Sequence, residues 1–381
     1  MVRLALLQNS SLSILKLGYN NLGDEGLITL SSGIAVHGTL SSLDLGFNNI
    51  GDSGCIALAS AISSTRGTLR TLYLSGNSIS DSGSRALADI IRSSCGLRQL
   101  HLTGNCIGPE GCRVILEAIM DDENNRKQKT QFNKPSHALV PTTVKGSLST
   151  SHSSKHEESY IEELFLGGTV LGHEGCTAVA SFLRQSTSLR ILSLANCHID
   201  DEYAAILAKG IAENRDHLPL STLQLSFNSI GPAGLDVLLH ALLGSRYLKV
   251  LKLDNNVIGD KGANLISFYL TSSSITTLDI GFNTITATGM RPFMKAVAEN
   301  SQIQSLSLSG NFIDSASAKA VAYALAYNSS LVSLFLDQCN ISNEGRRHIT
   351  AGIVSNSRTS LQILKGFVLG GEFVVYCSLN R

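Results

Sequence analysis

Leu12-Ser-Ile-Leu15-Lys-Leu17-Gly-Tyr-Asn20-Asn-Leu22 is followed 28 residues later by Leu40-Ser-Ser-Leu43-Asp-Leu45-Gly-Phe-Asn48-Asn-Ile50. The shared pattern is LxxLxLxxNxI. It returns from Leu69, Leu97, Ile161, Leu189, Leu220, Leu248, Ile275, Ile303 and Leu331, in steps of 27 to 31 residues except one of 64. A twelfth start at Leu361 begins the pattern and then loses it. Self-similarity at a fixed period is the mark of stacked units, none of which buries its apolar face alone.

Each slot has a physical reading. Leu15 and Leu17, two apart, predict a short strand with both side chains on one face. Asn20, Asn48, Asn77, Asn105, Asn228, Asn256, Asn283 and Asn311 fall where the chain leaves that strand. There an amide can satisfy backbone groups of neighbouring turns. Asp24/Gly26, Asp52/Gly54, Asp81/Gly83 and Asp260/Gly262 then mark a helix start, with a carboxylate available for free N–H groups. Segments such as Cys55–Ile62 and Ala86–Ile91 carry helical apolar spacing, predicting a helix of about ten residues.

One strand plus one full helix per unit predicts an α/β solenoid, a horseshoe of about 11 full repeats. Parallel strands would line its concave face and the wider helices its convex face. A 28-residue LxxLxLxx(N/C)xI unit with a full helix resembles the ribonuclease-inhibitor-like class of leucine-rich repeats. Ribonuclease inhibitor, the Ran GTPase-activating proteins and the repeat domains of NOD-like receptors share that class. The resemblance covers about residues 12–120 and 160–365 and implies the fold, whereas function must come from sites upon it.

Four segments follow: a first repeat block at 1–120, a polar insertion at 121–159, a second block at 160–366 and an irregular tail at 367–381. The insertion lacks LxxLxL, carries five lysines and a Ser/Thr run at Ser147–Ser154, and is expected to be disordered. It reads either as a tolerated insertion or as a regulatory, partner-contacting and phosphorylatable loop. Met1–Ser10 resembles the end of a repeat helix, and Phe373–Cys377 is apolar without helical signature, so the ends read either as unusual caps or as those of a chain that is part of a longer protein or of an imperfect gene model.

Thirty basic and thirty acidic residues give zero formal charge, the opposite of a nucleic-acid footprint or a polybasic membrane surface. No apolar run suffices to span a bilayer, and Met1–Leu17 lacks signal-peptide architecture. Eight cysteines without dense pairing suggest reduced thiols in the cytoplasm or alternatively the nucleus. They sort by slot. Cys197 and Cys339 replace the Asn, while Cys55, Cys112 and Cys176 follow the helix-start glycine. No Cys-x-x-Cys, HExxH, GxSxG or Walker motif appears, so no cofactor, metal, small-molecule ligand or intrinsic catalysis is expected.

The expected partner is another protein, and the surface left for it is the concave one. Reading across the outward strand position places Asp44, Tyr73, His101, Phe165, Lys252, Asp279 and Phe335 there. Strands lie about 4.8 Å apart, so Tyr73, His101 and Phe165 should be neighbours. They read as interface anchors, or else as rings that only pack on each other. Tyr19, Phe47, Phe227 and Phe282, each before the Asn slot, read as packing between repeats.

The primary expectation is a protein-binding scaffold or regulator. GTPase activation, which the resemblance to the Ran-specific family would imply, is the alternative. Against it, Gly352–Arg381 has Glu372 as its only acid, where that family carries an acidic tail, and no catalytic arginine can be matched. A sensor-repeat fragment of a NOD-like receptor is a third, and would need a nucleotide-binding domain upstream of Met1.

Overall fold

A computed structural model describes residues 2–65, 67–93, 96–132, 160–366, 368–369 and 372–373. Three-residue strands are β1 (Ile14–Lys16), β2 (Ser42–Asp44), β3 (Thr71–Tyr73), β4 (Gln99–His101), β5 (Glu163–Phe165) and β6 (Ile191–Ser193). The series continues with β7 (Thr222–Gln224), β8 (Val250–Lys252), β9 (Thr277–Asp279), β10 (Ser305–Ser307), β11 (Ser333–Phe335) and β12 (Ile363–Lys365). All twelve form one open sheet in sequence order, parallel throughout. The degenerate start at Leu361 therefore still contributes a strand.

Alternating with them are α1 (Val2–Gln8), α2 (Gly23–Ile34), α3 (Asp52–Ser63), α4 (Asp81–Ser93), α5 (Pro109–Phe132) and α6 (Gly172–Gln185). Then come α7 (Asp201–Asn214), α8 (Pro232–Leu242), α9 (Gly259–Leu270), α10 (Ala287–Glu299), α11 (Ser315–Tyr327) and α12 (Asn343–Ser355). Each helix packs on the next. Apart from α1 and α5, they run 11–14 residues, slightly longer than the apolar spacing implied.

The core lies between sheet and helices. From β2 to β11 both apolar strand slots are at most 2% exposed, as with Leu72/Leu74 and Leu278/Ile280. Three polar ladders hold successive turns together. In the first, Asn77 donates from Nδ2 to the Leu45 and Leu74 carbonyls (3.0 and 2.9 Å), and its Oδ1 accepts from the Asn48 and Ile50 N–H groups (both 3.0 Å). Cys197 and Cys339 keep half of this: their thiols point at the Leu166 and Leu308 carbonyls (3.3 and 3.4 Å).

The second ladder caps helices from the repeat before. Asp24 accepts from Gly51 and Gly54 N–H (2.7 and 3.0 Å), which begin α3. Asp52 does the same for Ser80 and Gly83 at α4, and Asp81 for Gly108 and Gly111 at α5. A carboxylate at a helix N-terminus satisfies orphan N–H groups and complements the dipole. The third ladder lies outside the LxxLxLxxNxI slots, although Asn300, Asn328 and Asn356 recur 28 residues apart. Asn214, Asn328 and Asn356 each donate to two carbonyls of the preceding helix end, at 2.7–2.8 Å.

Two expected boundaries move. α5 runs on to Phe132, so the first part of the segment read as a disordered insertion is helical. Glu123, 3% exposed, accepts from the Ser186 and Ser188 hydroxyls at the α6–β6 turn, and Arg92 pairs with Asp121 at 3.4 Å. Residues 133–159, with the Ser147–Ser154 run, lie outside the described residues. β4 and β5 pair directly despite the intervening chain. Within the tail read as irregular, β13 (Val368–Leu369) and β14 (Glu372–Phe373) pair antiparallel. Among the described residues no helix is long and apolar enough to cross a membrane.

Candidate functional site

The strand register decides what the concave face presents. Asp44 pairs with Tyr73, Tyr73 with His101, His101 with Phe165, and Phe165 with Ser193, each on the outward position. The rings stack. Tyr73 and His101 centroids are 4.1 Å apart with planes 25° from parallel, and His101 and Phe165 are 4.2 Å apart at 11°. All three are half-buried, each covered on its flanks by the next ring.

Burial makes His101 a neutral stacking partner. It pushes the imidazole from 6.5 down to about 4, against an opposing pull from Asp44. Its Nε2 is buried without a hydrogen-bond partner, which also disfavours the charged ring. Asp44 itself is held by the Gly46 N–H at 3.0 Å, so its carboxylate has a fixed place at one end of the stack.

The remaining predicted residues share the face but not the stack. Lys252 and Asp279 are register neighbours on β8 and β9, three and four strands beyond β5. The Asp279 carboxyl sits above the usual carboxylate range, chiefly because it is buried and secondly because Asp254 is near; the Gly281 N–H at 3.0 Å opposes this. Phe335 stands apart on β11, with Lys365 Nζ 5.5 Å above its ring. That cation lies one strand over, at a position the repeat alignment left out.

Tyr19, Phe47, Phe227 and Phe282 do more than pack between repeats. All four hold left-handed backbone (φ 53–62°), where bulky residues are uncommon. They remain 39–77% exposed along the edge where strands end. Part of the packing expectation holds. Tyr19 stacks on Phe47 at 4.5 Å, and the Phe47 and Phe282 rings cover Gly76 and Gly310 so closely that a Cβ at either glycine would collide. Left-handed φ and the lack of room both require glycine at those two positions.

Among the described residues, five of the six cysteines offer little chemistry, and Cys106 alone of the six is exposed. Cys55, Cys112, Cys176, Cys197 and Cys339 are buried, and burial raises each thiol above its ordinary range. Among the described residues, no cluster of three or more His, Cys, Asp or Glu is placed to hold a metal ion.

The sequence profile described as Leucine Rich repeat matches residues 8–31, 38–59, 68–88, 93–116, 185–202, 218–239, 244–267 and 271–294. The chain is 32% identical over 114 residues to ribonuclease inhibitor from Sus scrofa, covering 30% of this chain and 25% of that one. It is 34% identical over 112 residues to NACHT, LRR and PYD domains-containing protein 9 from Bos taurus, 29% of this chain and 11% of the other. RAN GTPase-activating protein 2 from Arabidopsis thaliana matches at 28% over 117 residues, 31% of this chain and 21% of that protein. The matched stretches thus span a quarter or less of those relatives. A chain of the yeast Rad7–Elc1 complex superposes over 90% of this chain and 84% of its own, with TM-score 0.50 and 13% identity, a likeness of fold alone. Repeat consensus, the twelve-stranded solenoid and these matches agree: the chain is built of leucine-rich repeats, and they are similar to those of the ribonuclease-inhibitor-like class.

Proposed function

We propose that this protein is a non-catalytic scaffold or regulator that binds a partner protein on its concave face, centred on Tyr73, His101 and Phe165. The observation that carries the proposal is the stack of three rings across β3, β4 and β5, half-buried and preassembled. Aromatic anchors held rigid before binding lose little side-chain entropy on association. Asp44, Lys252, Asp279 and Phe335 extend the same face and would set orientation more than affinity. The fold supports a protein partner generally, because solenoids offer long concave surfaces.

The test compares the intact chain with a Tyr73→Ala/Phe165→Ala variant in affinity capture, followed by titration of the captured partner. Loss of about 2 kcal/mol or more with retained melting behaviour supports the proposal. Unchanged affinity places binding on the helices, the strand-end rim or the insertion. GTPase activation is favoured only by the partial match to RAN GTPase-activating protein 2. Failure to accelerate GTP hydrolysis by Ran would remove it.

A further inference from the structure

Grooves between neighbouring helices recur on the convex face, and in two of them an arginine is paired with a carboxylate. The groove between α5 and α6, about 520 Å³, contains Arg113, which is bound to Glu110 at 2.8 Å and Glu117 at 2.6 Å. Arg184 is likewise tied to Glu213 between α6 and α7, at 2.8 Å. The groove between α10 and α11 differs. It is about 620 Å³ and is lined by Arg291 and Lys295, one turn apart on α10, by Lys319 on α11, and by Ser315, Ala316, Ala320 and Tyr323.

No carboxylate lines this groove, and among the described residues none lies within ion-pair distance of its three cations. Asp314 and Glu344 stand nearby, within electrostatic reach of Arg291 and Lys319, but their hydrogen bonds go to other groups. Asp314 caps α11 through the Ser317 N–H at 2.7 Å, and Glu344 takes the Ser315 hydroxyl and His348. Three exposed cations thus line one groove with no carboxylate in its lining and, among the described residues, no ion pair.

We propose that the α10–α11 groove binds the phosphate of a phosphorylated segment of a partner protein. A phosphomonoester brings nearly two negative charges and three acceptor oxygens, which suits one arginine and two lysines around a single cavity. The small Ala316 and Ala320 and the ring of Tyr323 leave room for the flanking peptide. A membrane surface fits less well, because Asp314 and Glu344 beside Arg291 and Lys319 would face a broad sheet of anionic headgroups, whereas a single phosphate reaches only the groove itself.

The test titrates the full chain with a short alanine peptide carrying one phosphoserine, with its unphosphorylated form, with inorganic phosphate, and with phosphatidylserine vesicles. Each is repeated on Lys295→Gln/Lys319→Gln, whose side chains are exposed, so folding should survive. The phosphopeptide should bind roughly tenfold or more tightly than its unphosphorylated form, and the double variant should erase that preference. Amide shift changes should map to α10 and α11. Equal binding of both peptides, a preference that survives the double variant, or binding of free phosphate or vesicles without the phosphopeptide would each overturn the proposal. The Tyr73→Ala/Phe165→Ala variant should bind the phosphopeptide normally, which keeps this site separable from the concave one.

Discussion

Returning His101 to water should restore its basicity. The ring lies between Tyr73 and Phe165, at 4.1 and 4.2 Å, and burial holds it at about 4 instead of 6.5. The folded pKa is depressed, so between those values the unfolded chain binds the proton first. Stability from this group is therefore complete above pH 6.5 and is lost as pH falls toward 4. A gap of about 2.5 pH units at 1.36 kcal/mol each gives about 3 kcal/mol as an upper bound, since one edge of the half-buried ring meets solvent. Phe165→Ala removes one flank, so the midpoint should rise toward 6.5 and the acid loss should shrink. The assay follows imidazole Cε1–H resonances by NMR from about pH 3 to 8, with His101→Gln assigning the signal among ten histidines. Urea unfolding at several pH values supplies the stability arm. A wild-type midpoint near 6.5, or one that Phe165→Ala leaves unmoved, would refute burial by the stack as the cause.

Asn77→Ala should cost about 3–5 kcal/mol in urea unfolding, because two buried N–H groups and two carbonyls lose their partner. Asn20→Ala, whose exposed amide only donates to Leu17 and Gly18 carbonyls, should cost less than about 1 kcal/mol in the same assay. Asp52→Ala should cost about 1–2 kcal/mol, and hydrogen exchange should show the loss at the start of α4 instead of α3. Glu123→Ala should destabilise by about 1–3 kcal/mol, with faster exchange at the α6–β6 turn and at the end of α5. Leu253→Ala, 1% exposed in the core, should cost about 2–5 kcal/mol and affect binding only through loosened stacking.

The repeat period alone determined the fold. Leucines two apart make a one-faced strand, and a recurring Asn at the strand exit is affordable only where a neighbouring turn supplies its partners. The adjacency of Tyr73, His101 and Phe165 was legible too, because parallel strands in sequence order place equal slots side by side. Even the 64-residue step did not hide it, since a chain that lacks the pattern can leave and rejoin the stack.

Tertiary structure decided what the pattern leaves equal. Asp24 could cap its own helix or the next, and only the rise from one turn to the next brings it onto Gly51 and Gly54. Glu123 reads as one more polar residue of an insertion until the helix that carries it meets Ser186 and Ser188, more than sixty residues away. The exposure of Tyr19 and Phe227, the depressed basicity of His101 and the three cations that share the α10–α11 groove depend on which side chains lie between neighbours. A repeat consensus fixes where a slot sits along the chain. Burial and charge balance are sums over groups from adjacent turns, and those come into contact only when the solenoid has closed around them.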